Sequence, residues 1–275
     1  MNKHLKQVLI GLAGVFVFTS TASAEKLTAC QTSECVDYFS QFKKAAKRGH
    51  PQAMLTLGQF YFSGYGTEKN DKMALKYFKK ASRHGYIAAA FKAGFIYLTN
   101  EDLKDVDDGI EYLEKAAKNG YEQADLLLGM VHYDDKYQNK DMAASDKYFA
   151  KAYESKMKQI PNTIAYIDSK TPINAQSFPK LNAAMQERPL EKHKDGSLSW
   201  HSENVEVITV TSPPLQDTFR RQLVTFRKAI KSTGTRFQGK TCTERLTCMQ
   251  RADIADATDF NYLFLDGFAG ANNSN

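Results

Sequence analysis

The chain has 275 residues, 42% hydrophobic and 25% charged, with a formal net charge of +6 and four cysteines. That length suits one large or two modest domains with ample core. The charge is too small to imply a nucleic-acid partner by itself.

The first element reads as a leader. Lys3 and Lys6, an apolar stretch from Val8 to Phe18 and a small-residue sequence ending at Ala24 follow one another in the order of a secretory signal peptide. The apolar stretch runs eleven residues, whereas a bilayer-crossing helix needs roughly 20. Cleavage after Ala24 is therefore expected in place of a permanent anchor, with residues 1–24 the signal peptide and no membrane-spanning segment after it. The 251 residues that remain hold 35 basic and 31 acidic side chains, a net charge of +4.

Export points to the periplasm, where thiols are not kept reduced. Cys30, Cys35, Cys242 and Cys248 are accordingly expected in disulfides and not as metal ligands. Two local loops, Cys30 with Cys35 and Cys242 with Cys248, carry the lowest closure cost. A cross-link between the two pairs is the alternative. Leu27-Thr28-Ala29-Cys30 also has the form of a lipobox, which would anchor the chain through Cys30, but charged Glu25 and Lys26 interrupt the apolar run before it.

After the cysteine segment 25–35, self-comparison exposes a period of 35 or 36 residues. Gly49, Gly85 and Gly120 recur in register, as do Ala53, Ala89 and Ala124, then Gly58, Gly94 and Gly129, and Ala45, Ala81, Ala116 and Ala152. Tyr61, Tyr97 and His132 form another column, and Tyr77, Tyr112 and Tyr148 a further one. Each unit holds two helical segments, as in His50 to Ser63 and Asp71 to His84. Ala53, Leu57 and Tyr61, spaced at i, i+4 and i+8, share one face of the first. Gly85 and Gly120 follow the second segment, where a left-handed residue ends a helix. Gly58 lies inside the first segment, where its cost of about 1 kcal/mol implies close packing.

The stretches Ala53-Met-Leu-Thr-Leu-Gly58-Gln-Phe-Tyr61-Phe-Ser-Gly64-Tyr-Gly66 and Ala74-Leu-Lys-Tyr77-Phe-Lys-Lys-Ala81-Ser-Arg-His-Gly85 resemble a Sel1-like repeat, a relative of the tetratricopeptide repeat. The resemblance extends from Val36 to Ser155. Later copies depart from it, with Asn100-Glu-Asp-Leu and Asp134-Asp-Lys-Tyr in place of the loop that holds Gly64 and Gly66. Val36 to Arg48 aligns with a second helix alone. The array 36–155 is thus expected as a half repeat plus three repeats, a short α-solenoid of seven helices in a mainly α chain.

Beyond Ser155 the period vanishes. Pro161, Pro172, Pro179 and Pro189 suggest a broken linker over 156–202. A C-terminal module over 203–275 follows, expected as small α+β or as an irregular helical extension. Its strand is Val205 to Val210, with Thr163 to Ile167, Leu198 to His201 and Tyr262 to Leu265 as candidate pairing strands. Ser212 and Pro213 begin a helix with Leu215, Phe219, Leu223, Phe226 and Ile230 along one face. Its other side is basic through Arg220, Arg221, Arg227, Lys228 and Lys231. The segment from Pro213 to Arg251 carries nine basic and two acidic residues, against balanced charge, 19 of each sign, over residues 25–155.

A search for chemistry returns little. His50, His84 and His132 fall in repeat columns and read as structural; His193 and His201 flank a turn. Neither cysteine pair has redox or zinc spacing. No Gly-x-Ser-x-Gly, His-Glu-x-x-His or phosphate loop occurs, and the Ser-x-x-Lys hits at Ser23, Ser40, Ser155 and Ser177 lack companion elements. The expectation is a protein that is not an enzyme and uses no cofactor.

The resemblance implies a protein-interaction scaffold of the kind found in signalling and envelope assemblies, with another envelope protein as partner. Positions that differ between copies on the first helices are the candidates to meet it: Thr56, Lys92 and Leu127, then Gln59, Phe95 and Met130. Inter-repeat packing is the competing account of the apolar members. Arg220, Arg221, Arg227 and Lys228 are a second candidate surface, suited to an acidic partner, an anionic cell-wall polymer or a lipid surface. The competing function is a cell-wall-binding or hydrolytic C-terminal module that the repeats only position.

Overall fold

A computed structural model describes residues 27–201 and 213–228. The expected leader, the strand at Val205 to Val210, Ile230, Lys231, the Cys242 and Cys248 pair and Tyr262 to Leu265 lie outside the described residues.

The array forms as seven helices: α1 (Ser33–Lys47), α2 (Pro51–Ser63), α3 (Asp71–Arg83), α4 (Ile87–Thr99), α5 (Val106–Lys118), α6 (Glu122–Tyr133) and α7 (Met142–Glu154). Two recurring devices set their ends. Where a second helix ends, Gly49, Gly85 and Gly120 take φ of 96°, 89° and 83°. The next N–H groups, of His50, Tyr86 and Tyr121, donate back to the carbonyls of Ala45, Ala81 and Ala116. This is the Schellman closure, and it explains why the glycine and alanine columns travel together. Where a second helix begins, the side chains of Asn70, Asp105 and Asp141 accept from N–H groups of the first turn. The backbone N–H of the same three residues donates to the carbonyls of Tyr61, Tyr97 and His132.

Within each hairpin the interior glycine is a seat for a side chain of the second helix. A Cβ on Gly58 would lie 2.7 Å from the Phe78 ring, on Gly94 2.8 Å from Leu113, and on Gly129 2.5 Å from Phe149. The helices close to a distance that no larger residue permits, which offsets the helix-propensity cost of glycine. Above these seats the ring columns pair: Tyr61 with Tyr77, Tyr97 with Tyr112 and His132 with Tyr148, at centroid separations of 5.8, 6.0 and 5.8 Å. His132 therefore takes a tyrosine's place in a structural ladder, as its column suggests.

The loops between paired helices diverge. In the first repeat, Gly66 donates to the carbonyl of Cys30, and Cys30 donates to that of Gly64. The segment before α1 is thereby tied to the α2–α3 loop, and a Cβ on Gly66 would overlap the Cys35 carbonyl. The second and third repeats use 3-10 turns at Glu101–Leu103 and Asp135–Tyr137 instead. Cys30 and Cys35 are placed as a disulfide pair flanking the α1 N-cap, Thr32.

Residues 156–201 are not a linker. They form α8 (Ile160–Lys170), α9 (Pro179–Glu187) and an antiparallel pair, β1 (Glu191–Lys192) with β2 (Leu198–Ser199). Pro161 and Pro179 begin helices where they were expected to break the chain; at the first turn the missing N–H costs nothing and the fixed φ suits the helix. The stretch Thr163 to Ile167, expected as a strand, lies in α8. Ile160, Ile164 and Ile167 bury one side of that helix. Of Leu198 to His201, only Leu198 and Ser199 are strand, and they pair with Glu191 and Lys192. This unit caps α7. The buried Asp146 carboxylate accepts from the N–H groups of Lys180 and Leu181 at 3.1 and 2.9 Å, fixing the start of α9. The Trp200 indole donates to the Met157 carbonyl and its ring meets Tyr153.

The last described element, α10 (Leu215–Lys228), starts two residues later than the expected Pro213. Leu215, Phe219, Leu223 and Phe226 are buried as its periodicity requires. They do not join the neighbouring cap. They enter the core cluster of the first repeats.

Because the Gly129 seat leaves no space beneath Phe149, Gly129→Ala should destabilise the chain by about 1–2 kcal/mol, overpacking outweighing the gain in helix propensity. Urea unfolding followed by circular dichroism measures this, and equal or greater stability would contradict the seating account.

Candidate partner-binding groove

The six column positions lie on the first helices of the three hairpins: Thr56 and Gln59 on α2, Lys92 and Phe95 on α4, Leu127 and Met130 on α6. They do not form an open surface. Thr56, Gln59, Lys92 and Leu127 are 3%, 2%, 5% and 3% exposed, and each pair meets a different neighbour. Variation between copies here records those neighbours, not a solvent-facing row.

At the N-terminal end the neighbour is α10. Phe219 sits among Tyr38, Phe42, Phe60 and Tyr65, with centroid separations from 5.1 to 5.6 Å. Phe226 meets Phe42 and His50. Between these anchors the Thr56 hydroxyl lies 3.1 Å from the Gln222 side-chain oxygen, to which it donates, with the Gln52 carbonyl at 3.2 Å as a second acceptor. The Tyr38 hydroxyl donates to the Gln216 carbonyl at 3.5 Å. Polar matching elsewhere is incomplete. Gln59 Oε1 and His50 Nε2 are buried without a hydrogen-bond partner among the described residues. Burial, and then the nearby Arg48 charge, holds the His50 pKa below its ordinary value.

In the middle of the array, Lys92 Nζ lies 5.6 to 6.0 Å from the ring centroids of Phe62, Phe91 and Phe95. Burial pushes its pKa down to about 7, so the amine is near half-protonated at neutral pH. A charge so enclosed is not a docking charge for a partner. Leu127 lies inside the core of the central helices, and Met130 packs partly against the α7–α9 cap.

Three of the basic candidates lie on the outer side of α10. Arg220, Arg221 and Arg227 are exposed. Arg220 lies 3.9 Å from Glu34 of α1 and 3.5 Å from Asp217. Solvent screening leaves such pairs about 0–1 kcal/mol, so they add little hold on α10. Lys228 is the last residue of this helix.

Three features escaped the sequence reading: the Asn70, Asp105 and Asp141 caps, the Asp146 clamp and the seat of α10. The caps were findable, since they recur with the same period as the glycines.

The Sel1 repeat family matches at residues 51–86 and 87–121. Residues 51–121 are Sel1 repeats. The α6–α7 hairpin continues their geometry beyond the matched segment, with the same glycine seat and ring pair. A putative sel1-like repeat-containing protein of Acanthamoeba polyphaga mimivirus is 29% identical over 98 residues, 36% of this chain and 17% of that protein. The chain thus matches under a fifth of that relative's length. Among solved structures, a protective antigen of uropathogenic Escherichia coli with an SLR fold has a TM-score of 0.44 at 26% identity, covering 54% of this chain and 33% of that one. A Sel1 repeat protein from Oxalobacter formigenes has a TM-score of 0.43 at 21% identity, covering 55% and 64%.

The Lys92 environment fixes the sign of a pH effect. Its folded pKa of about 7 lies below the ordinary 10.5, so the unfolded chain binds the extra proton between those values. Stability from this group is complete above 10.5 and is lost as pH falls towards 7. Between pH 7 and 9 the wild type should gain up to about 1.4 kcal/mol per pH unit. Lys92→Met should flatten that slope and raise stability at pH 7 by on the order of 2 kcal/mol. Urea midpoints at the two pH values measure both effects; an unchanged slope in the variant would contradict the assignment.

Proposed function

We propose that this protein is a periplasmic protein-interaction scaffold, in which the Sel1 array supplies the rigid platform and the end formed by α1, α2 and α10 is the docking region. One observation carries the reading: the array already holds an amphipathic helix by its apolar face, through Phe219 and Phe226 seated on α1 and α2. A stack of hairpins that grips one helix has the shape and chemistry to grip a protein. The periplasmic location rests on the leader-like first 24 residues and on the Cys30 and Cys35 pair, whose thiols lie in disulfide arrangement.

Affinity capture from a membrane-and-periplasm fraction with the full chain should recover one defined protein in near-stoichiometric amount. Failure to recover any protein across several salt concentrations would count against the scaffold reading.

A further inference from the structure

Solenoid helices pack on their sequence neighbours, and α1 to α7 obey that rule. Among the described residues α10 departs from it. Its contacts with Tyr38 and Thr56 span 178 and 166 residues of sequence. The rings beneath it hold one another without its help: Phe42 meets Phe60 edge-on at 5.3 Å, and Phe60 stacks on Tyr65 at 4.9 Å. The Gly66 loop that positions Tyr65 is tied to Cys30 by backbone hydrogen bonds. Removing α10 would therefore uncover a formed apolar groove and would leave the hairpin closures intact.

The groove is also imperfectly matched to its occupant. His50 Nε2, whose ring meets Phe226 of α10, is buried without a hydrogen-bond partner among the described residues. Such a group carries a desolvation penalty that a better-matched ligand recovers. On the outer side, Val224 stands 47% exposed, and the ion pairs of Arg220 are solvent-screened. The helix is thus held chiefly through one apolar face, with the Thr56 and Tyr38 hydroxyls hydrogen-bonded to Gln222 and Gln216.

We propose that the α1–α2 groove is a binding site for an amphipathic helix of a partner protein, and that α10 is its resident occupant in cis, which the partner helix displaces. This rests on the scaffold reading and specifies its ligand. The partner helix carries large apolar residues, at least two of them aromatic, at the spacing of Leu215, Phe219, Leu223 and Phe226. It also brings a hydrogen-bonding side chain to His50 Nε2. Tethering gives α10 an effective concentration on the order of millimolar. A partner in trans at micromolar concentration must therefore bind the bare groove about a thousandfold more tightly than α10 does, and the unmet His50 Nε2 supplies part of that difference.

The test uses the full chain and a fluorescein-labelled peptide with the sequence Pro213–Lys228. Wild type should bind the peptide weakly. Full-length Phe219→Asp, whose own helix cannot hold the seat, should bind it at least about tenfold more tightly; the peptide carrying the same substitution should bind neither. Equal affinity for wild type and a variant with intact helical circular dichroism would overturn the proposal. Should that variant not fold, hydrogen exchange on wild type decides. Faster exchange of the α10 amides than of α1 and α2 supports displacement, and equal protection refutes it. A dimer that forms with rising concentration and dissolves on adding peptide would make the occupant a second copy's α10 and would overturn the assignment to a partner protein. For a protein captured as above, competition by the peptide supports the proposal. Capture untouched by peptide sinks it while leaving the scaffold reading standing.

Discussion

Two helices approach closely only where one of them presents no side chain, and this protein repeats that condition three times. Phe78 stands on Gly58, Leu113 on Gly94 and Phe149 on Gly129. The contact fixes the distance between the helices of each hairpin, and most of the remaining regularities follow from it. With the separation set, the rings of Tyr61 and Tyr77, of Tyr97 and Tyr112, and of His132 and Tyr148 fall opposite one another. The N-cap residues Asn70, Asp105 and Asp141 come within reach of the carbonyls of the ladder residues. The loops are then free to differ, as a glycine turn in the first repeat and 3-10 turns in the next two, because the glycine seat, not the loop, carries the geometry.

A solenoid assembled this way has two unfinished ends, each of which would expose an apolar face. The ends are closed by different means. At the C-terminal end the chain turns directly back: α8, α9 and the β1–β2 pair cover α7, held by the Asp146 clamp and by Trp200. At the N-terminal end the half repeat α1 covers α2, and α10 covers both. The arginines of α10 turn outward, giving that end the charged outer surface a terminal unit requires for solubility. The first cap is continuous with the repeats; the second comes from a distant part of the chain.

Much of this was legible in the sequence, and the reasons are specific. A fixed period with glycine and alanine in register leaves few architectures, so the hairpins and the half repeat followed directly. The apolar face of α10 followed from its spacing, Leu215, Phe219, Leu223 and Phe226. What that face packs against did not, because amphipathicity states that a face is buried without naming the surface that buries it. Pro161 and Pro179 were read as breaks because proline is equally suited to ending one element and beginning another. Thr163 to Ile167 looked like a strand because a five-residue window with β-branched residues carries no helical period; extended back to Ile160, the isoleucines recur at i, i+4 and i+7. The divergent columns misled for a related reason. Thr56, Lys92 and Leu127 differ because α10, a cluster of phenylalanines and the central core each demand something different of the same position.

That divergence bears on what the inner surface is for. Buried polar groups are expensive, and replacing them with well-packed apolar residues is commonly neutral or stabilising. A helix cap selected for stability alone would be met by an apolar groove. Here α10 covers Thr56 and also His50, whose Nε2 is buried without a partner among the described residues. In the hydrated, uncovered groove these groups cost nothing, since water satisfies them, and they make the bare surface soluble. They become costly only when covered by a helix that does not match them. The same residues thus lower the stability of the closed form and protect the open one, which narrows the free-energy gap between the two. A small gap is the physical requirement for exchanging one helix for another.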